Sequence, residues 1–379
     1  MTLADRLAAR IHRHGPIGFD EFVDAALYDE DWGFYTSGLG RAGRRGDFIT
    51  SAEVGPLFGA VMARALDAWW RELGEPDPFT VIEVGAGPGT LARSVLAAEP
   101  ACAVALRYVL VDRSPAMRAR HHEILALSPP QEAFADDEET GDEDDDEVPP
   151  VRGRGPIAVS LGELPRLKVT GVVLANELLD NLAFMLLEAR DGVWHEVRVG
   201  NGLNPDFVEV LVPAPTGLAA HLPAATALPN GARIPVQTAA AQWLRDAFEL
   251  LHRGRVVVVD YASTSADMGA RPATEWLRTY RNQQRGGHPL DDPGRQDITC
   301  EVAIDQLARV RPPALVETQA EFLTRHGIDE LVEEGRRIWT ERAALGDLAA
   351  FKARSRVREA EALTATDGLG AFTVAEWKI

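Results

Sequence analysis

Apolar residues recur at helical spacing from the start of the chain. Leu3, Leu7 and Ile11 stand four apart among Arg and Asp, which predicts an amphipathic helix within residues 1–15. Residues 20–28 suit a second short helix, and residues 32–51, rich in Gly and Arg, read as loop. Helical spacing returns over 57–73 and stops at Gly74, with Pro76 and Pro78 beyond it.

An alternation of apolar runs and helical stretches follows. Strands are predicted at 79–84, 108–111, 157–160 and 171–175, with helices at 91–98 and 115–127. Strand, helix, strand in this order implies a parallel, doubly wound α/β sheet. The rhythm then changes. Runs at 184–188, 194–199 and 207–212 are separated by Asp191-Gly192 and by Gly200-Asn201-Gly202, which are hairpin signals for an antiparallel insertion. A helix at 236–251 precedes 255–260, a Val run expected to be buried on both faces. The end adds a strand at 314–317, helices at 330–342 and 348–360, and a last strand at 371–377. The expected organisation is one enlarged α/β domain: an N-terminal helical and loop extension, 1–78, closing over the main domain, 79–379, with a β insertion at 184–213.

Charge changes this picture in one place. The net charge of −19 is concentrated in residues 136–147, where ten of twelve positions are acidic; the rest of the chain carries 48 acids against 39 bases. Such a run repels itself and has nothing apolar to bury, so 134–150 reads as a disordered acidic surface loop. The balance speaks against nucleic acid as a partner, since phosphate binding needs clustered Lys and Arg. Cys102 and Cys300 stand far apart without ligand-spaced neighbours, which predicts neither a disulfide framework nor a metal site. His12, His14 and His195 have no constellation around them. No segment reaches the roughly 20 apolar residues that span a bilayer, and residues 1–15 do not read as a secretory signal, so a soluble, cytoplasmic protein is expected.

The candidate chemistry begins at Glu83-Val84-Gly85-Ala86-Gly87-Pro88-Gly89, a glycine-rich turn between a strand and a helix. Glycine lets the backbone turn sharply and a ligand approach without a Cβ in the way. Asp112, with Arg113 beside it, ends the next strand, where an acid can accept hydrogen bonds from two ribose hydroxyls. These features alone fit either a dinucleotide or S-adenosylmethionine (SAM), or simply a tight turn followed by a helix cap. Thr90 stands where the dinucleotide fingerprint wants Gly or Ala. Glu83 would repel a pyrophosphate but could hold the cationic amino group of methionine. Both details favour SAM.

Segments outside the turn are more specific. Gly46-Asp47-Phe48-Ile49-Thr50-Ser51-Ala52-Glu53 with Phe58-Gly59 resembles the signature of the MidA-like methyltransferase family. Gly33-Phe34-Tyr35, Asn176-Glu177-Leu178-Leu179-Asp180, Val259-Asp260-Tyr261, Gln296-Asp297-Ile298-Thr299 and residues 368–374 look similar as well, nearly end to end. Departures are Ala52 in place of Pro, the stretch 181–184, Asn282-Gln283, and the acidic loop. The resemblance implies a Rossmann-like class I SAM-dependent methyltransferase fold and SAM as cofactor. It also implies an N-terminal loop that closes over the donor, so Asp47, Thr50, Ser51 and Glu53 join the candidates, together with Asn176. The family includes a mitochondrial complex I assembly factor that dimethylates a protein arginine, so a protein acceptor is implied.

A guanidinium acceptor must be gripped by carboxylates, which take its N–H groups in a fork. Glu177 and Asp180 follow the fourth strand, at the rim where α/β sheets bind ligands, and one helical turn would put both on the same side. With Asp47 they are the candidate catalytic acids, and Asp297 is a further acceptor-side candidate. Two alternatives stay open: a SAM-binding assembly factor for a respiratory complex without catalysis, and a nicotinamide-dependent oxidoreductase.

Overall fold

The computed structural model describes residues 2–37, 50–134, 153–202, 206–281 and 284–379. Asp47, residues 46–49 of the signature, and the acidic loop lie outside the described residues. The chain divides into two compact units. One comprises 1–48, 177–246 and 260–312; the other comprises 49–176, 247–259 and 313–379.

The second unit is the doubly wound sheet. Its strands are β1 (Phe79–Val84), β2 (Leu106–Val111), β3 (Ile157–Leu161), β4 (Val169–Asn176), β5 (Leu251–Asp260), β6 (Leu315–Thr318) and β7 (Thr373–Lys378). They lie in the order β6-β7-β5-β4-β1-β2-β3, with β5, β4, β1, β2 and β3 parallel and β6 antiparallel to β7. The order reverses between β1 and β4, and that switch point is where open parallel sheets bind ligands at their carboxyl ends. Every residue of β1 and β2 is buried, as expected of strands covered on both faces.

Helices α1 (Ser51–Val54), α2 (Pro56–Glu72), α3 (Thr90–Ala97) and α4 (Pro115–Ile124) belong to the same unit. Proline at the first position of α2 costs no hydrogen bond and presets the helical φ. Leu57, Phe58, Val61, Met62, Leu66 and Trp69 form its buried stripe, in one core with Phe79, Leu91, Val95 and Leu110. Gly59 lets α2 lie close to α3, since a Cβ there would stand 2.3 Å from the Ser94 Cβ.

In the first unit, helices Leu3–His14 and Phe19–Tyr28 share a core with strands Met185–Arg190 and Val193–Asn201 through Leu3, Leu7, Phe19, Phe22, Phe184 and Val197. These strands belong to an antiparallel sheet with Ile17–Gly18, Phe207–Pro213 and Arg233–Val236. The hairpin signal at Asp191-Gly192 is a turn with positive φ at both residues, 51° and 76°. A small sheet joins Leu277–Arg281 with Gln284–Arg285 and Asp297–Cys300.

The division differs from the expected boundary at residue 78. Residues 56–72 supply a large part of the doubly wound core, whereas 1–37 pack on the antiparallel strands. The insertion is accordingly larger than 184–213, because 177–246 and 260–312 complete one core with the N-terminal helices. Among the described residues, no helix is long and apolar enough to cross a membrane.

Candidate donor turn and acidic cluster

The glycine turn leaves β1 at Val84, and Gly85, Gly87 and Gly89 all have positive φ, at 71°, 53° and 82°. A Cβ at Gly89 would also crowd Leu110 Cδ2 at 3.1 Å and His121 Cδ2 at 3.2 Å. At Gly87 a Cβ would meet nothing within 4 Å among the described residues, so they leave open space in front of the turn. The amides of Gly85 and Ala86 both donate to the Val111 carbonyl, at 2.8 and 3.1 Å, which ties the turn to the end of β2.

Both peptide groups flanking the Gly87 Cα are fixed. Gly87 N–H donates to Asp112 Oδ2 at 2.8 Å, while Asp112 Oδ1 accepts the Ser114 N–H at 2.8 Å. On the other side, His121 Nε2 lies 2.8 Å from the Gly87 carbonyl, and its Nδ1 lies 2.8 Å from Ser160 Oγ. A carbonyl only accepts, so Nε2 carries the proton and, in the neutral ring, Nδ1 accepts from the Ser160 hydroxyl. Burial raises Asp112 to about 6 against the pull of the Ser114 and Gly87 amides. It remains an acceptor with lone pairs to spare, on the half-buried edge expected to meet a ribose. Arg113 is exposed.

Glu83, expected on the donor's amino group, also has partners within the protein. It is buried, and its Oε2 accepts the Tyr108 hydroxyl at 2.7 Å; burial pushes it to about 8, with the Asp112 charge adding to the rise. Tyr108 and the Ala92 amide at the start of α3 both donate to its carboxylate.

Of the N-terminal signature, Thr50 precedes α1, and the buried Ser51 donates to Gln319 Oε1 at 2.9 Å, an anchor within the core. Glu53 is half-buried, and burial raises it to about 7. Asn176 is the half-buried last residue of β4.

The first unit carries a second constellation. Glu177, the residue after β4, has φ +51°, a left-handed conformation rare for a residue with a Cβ and common at functional turns. Leu179–Asn181 then forms a single 3₁₀ turn. No α-helical turn pairs Glu177 with Asp180, contrary to the three-residue spacing. Asp260 organises the segment instead. Its Oδ2 accepts the N–H groups of Leu179 and Asp180 at 2.9 and 3.3 Å, and its Oδ1 accepts its neighbour's Tyr261 N–H at 3.0 Å.

The Tyr261 hydroxyl donates to Asp180 Oδ2, while Asp180 Oδ1 is buried without a hydrogen-bond partner. Burial raises Asp180 to about 6 despite the Tyr261 bond. Asp260 is raised too, by burial and then by the charges of Asp180 and Glu177. Beside them, Asp297 Oδ1 accepts from the Tyr35 hydroxyl at 3.0 Å and from Asn181 Nδ2 at 3.1 Å, and Tyr28 stacks on Tyr35 at 5.6 Å. Four motifs far apart in sequence, around Tyr35, Asp180, Tyr261 and Asp297, thus meet in one buried cluster of carboxylates and phenols.

His121, Ser160 and Tyr108 were not legible as site residues, because an isolated His or Tyr in a helix or strand carries no spacing signal. The dual role of Asp260 was not legible either, although its segment was.

Comparison with known proteins adds a family. The model described as "Putative S-adenosyl-L-methionine-dependent methyltransferase" matches residues 61–318. The Mus musculus protein arginine methyltransferase NDUFAF7, mitochondrial, is 24% identical over 346 residues, covering 85% of this chain and 73% of that protein. Its Drosophila melanogaster homolog is 42% identical over 95 residues, which is 25% of this chain and only 22% of the fly protein. A crystal structure of a COG1565 superfamily member from Burkholderia thailandensis, bound to S-adenosyl-homocysteine, superposes with TM-score 0.81 at 26% identity, over 100% of this chain and 92% of that one.

Proposed function

This chain belongs to the S-adenosyl-L-methionine-dependent methyltransferase family that it matches, and we propose that it methylates an arginine side chain of a protein. Family membership removes the nicotinamide alternative that the glycines alone left open. The turn fits the donor: its glycines have the positive φ a close approach needs, open space faces Gly87, and Asp112 stands at the ribose position. When bound, SAM supplies a methyl group on a cationic sulfur.

The observation that carries the acceptor reading is the buried cluster of Asp180, Asp260, Tyr261, Tyr35 and Asp297. Carboxylates concentrated out of water select a cation, and a guanidinium matches them best because it offers a planar fork of N–H donors. Glu177 and Asp180 are the acids that grip it. The nitrogen that gains a methyl group must lose a proton, and Asp180 Oδ1, the carboxylate oxygen without a hydrogen-bond partner, is the one to take it. At about 6, Asp180 is ionised at neutral pH yet more basic than an ordinary aspartate. The NDUFAF7 relatives, named as protein arginine methyltransferases, support the same acceptor.

The test is incubation of the protein with methyl-labelled SAM and cell extract, followed by mass spectrometry of the labelled residues. Methylarginine is expected. Label on lysine, a carboxylate or a small molecule would refute the arginine acceptor. Absence of any transfer by protein that binds the donor would favour an assembly role without catalysis.

A further inference from the structure

We propose that Glu53 is the residue that binds the α-ammonium group of the donor's methionine end, an inference that rests on the SAM reading of the glycine turn. Its position follows from the packing of α2 against α3. Gly59 of α2 lies against Ser94 of α3, and eight residues on, Asp67 accepts the N–H groups of Ala101 and Cys102, just past the end of α3. The two helices therefore run in the same direction. The segment before α2, which is α1 with Glu53, accordingly lies toward the N-terminal end of α3, where the glycine turn is. Packing of α1 on α3 agrees with this placement.

The chemistry of the candidate acids then decides between them. Glu83, the acid expected to hold this ammonium, is enclosed by Tyr108 and the Ala92 amide. Glu359, the buried acid at the start of α2, spends its oxygens on the Leu57 N–H at 2.9 Å and the Ser355 hydroxyl at 2.6 Å. Glu53 uses its carboxylate to accept the Thr50 N–H, the backward half of a capping box, yet its Oε2 is buried without a hydrogen-bond partner. A buried carboxylate oxygen left in this state costs free energy, which a cationic ligand would return. Burial accordingly lifts Glu53 to about 7 against Thr50 and the nearby Arg120 charge. Arg120 on α4 is the cation whose charge reaches it.

Calorimetry on the full chain with two probes tests this. S-adenosyl-homocysteine carries the amino-acid end; 5′-methylthioadenosine carries the same adenosyl thioether without it. Glu53→Gln removes the charge while keeping a residue that serves equally at the third position of a capping box, so the fold is retained. Loss of one charge-assisted bond should weaken S-adenosyl-homocysteine about 10- to 100-fold. Affinity for 5′-methylthioadenosine should change by less than about two-fold, which also reports an intact adenosyl site. Equal losses for both probes, or no loss for either, would overturn the assignment. Wild-type protein that bound neither probe would overturn the donor reading itself, and the inference with it.

Discussion

Asp260 accepts the backbone N–H groups of both Leu179 and Asp180 on a single carboxylate oxygen, so the acid that ends β5 holds the turn that follows β4. With the Tyr261 N–H on its other oxygen, it satisfies two buried backbone donors and one part-buried one. Asp260→Leu keeps the volume and strands all three. The expected loss is about 3 kcal/mol or more in urea denaturation, because each unsatisfied buried donor costs roughly 1–3 kcal/mol. An unchanged midpoint would show that the turn does not depend on Asp260.

Stability should fall as pH rises across neutrality. Asp180 and Asp112 are raised to about 6, Glu53 to about 7 and Glu83 to about 8, so the folded state binds more protons than the unfolded chain. A carboxyl raised in this way contributes stability that is full below its unfolded value near 4 and is lost as pH climbs to the folded value. Glu209 works the other way: bonds from His288 and Arg233 outweigh burial and hold it at about 2. Its contribution is complete above about 4.5 and does not oppose the trend. His121 and His326, both lowered by burial, oppose it near the unfolded histidine value of 6.5 and offset only part of the loss from Glu53 and Glu83. Ligand-free protein should melt a few degrees higher at pH 6 than at pH 8, on the order of 1–2 kcal/mol. A melting temperature that rose over this window would contradict the protonation scheme. Methyl transfer should run in the opposite sense, rising through about pH 6 as Asp180 ionises.

His121 should matter to donor binding through the Gly87 carbonyl alone. His121→Gln places an amide N–H near the position of Nε2, whereas His121→Leu removes the donor. S-adenosyl-homocysteine affinity is expected to stay within about three-fold for Gln and to fall about ten-fold for Leu, the worth of one buried hydrogen bond. Gly87→Val, with a side chain in the open space before the turn and a φ of +53° that valine resists, should abolish binding. Equal affinities for the two His121 variants would remove the histidine from the donor site.

The doubly wound sheet was legible because its strands are short apolar runs that end at Gly, Asp or Asn, and periodicity is a local property. The partition into two units was not. Whether residues 56–72 pack with 79–111 or with 1–37 depends on contacts such as Gly59 on Ser94, which no local pattern encodes. The same limit applied to the site. Gly87 and Asp112 stand out by spacing, whereas only the fold reveals Tyr108, on the neighbouring strand, as a partner of Glu83. The three-residue spacing of Glu177 and Asp180 suggests one helical turn. The positive φ at Glu177 and the hold of Asp260 from another strand replaced that geometry.

The most direct test of the account is Glu177→Gln, assayed twice. Calorimetry should find S-adenosyl-homocysteine affinity unchanged if Glu177 serves the acceptor, as proposed. Single-turnover transfer to the arginine acceptor identified with labelled extract should fall by about 10²-fold, the cost of losing one charge-assisted contact in the transition state. Transfer at the wild-type rate with binding intact would contradict the acidic cluster as the acceptor site.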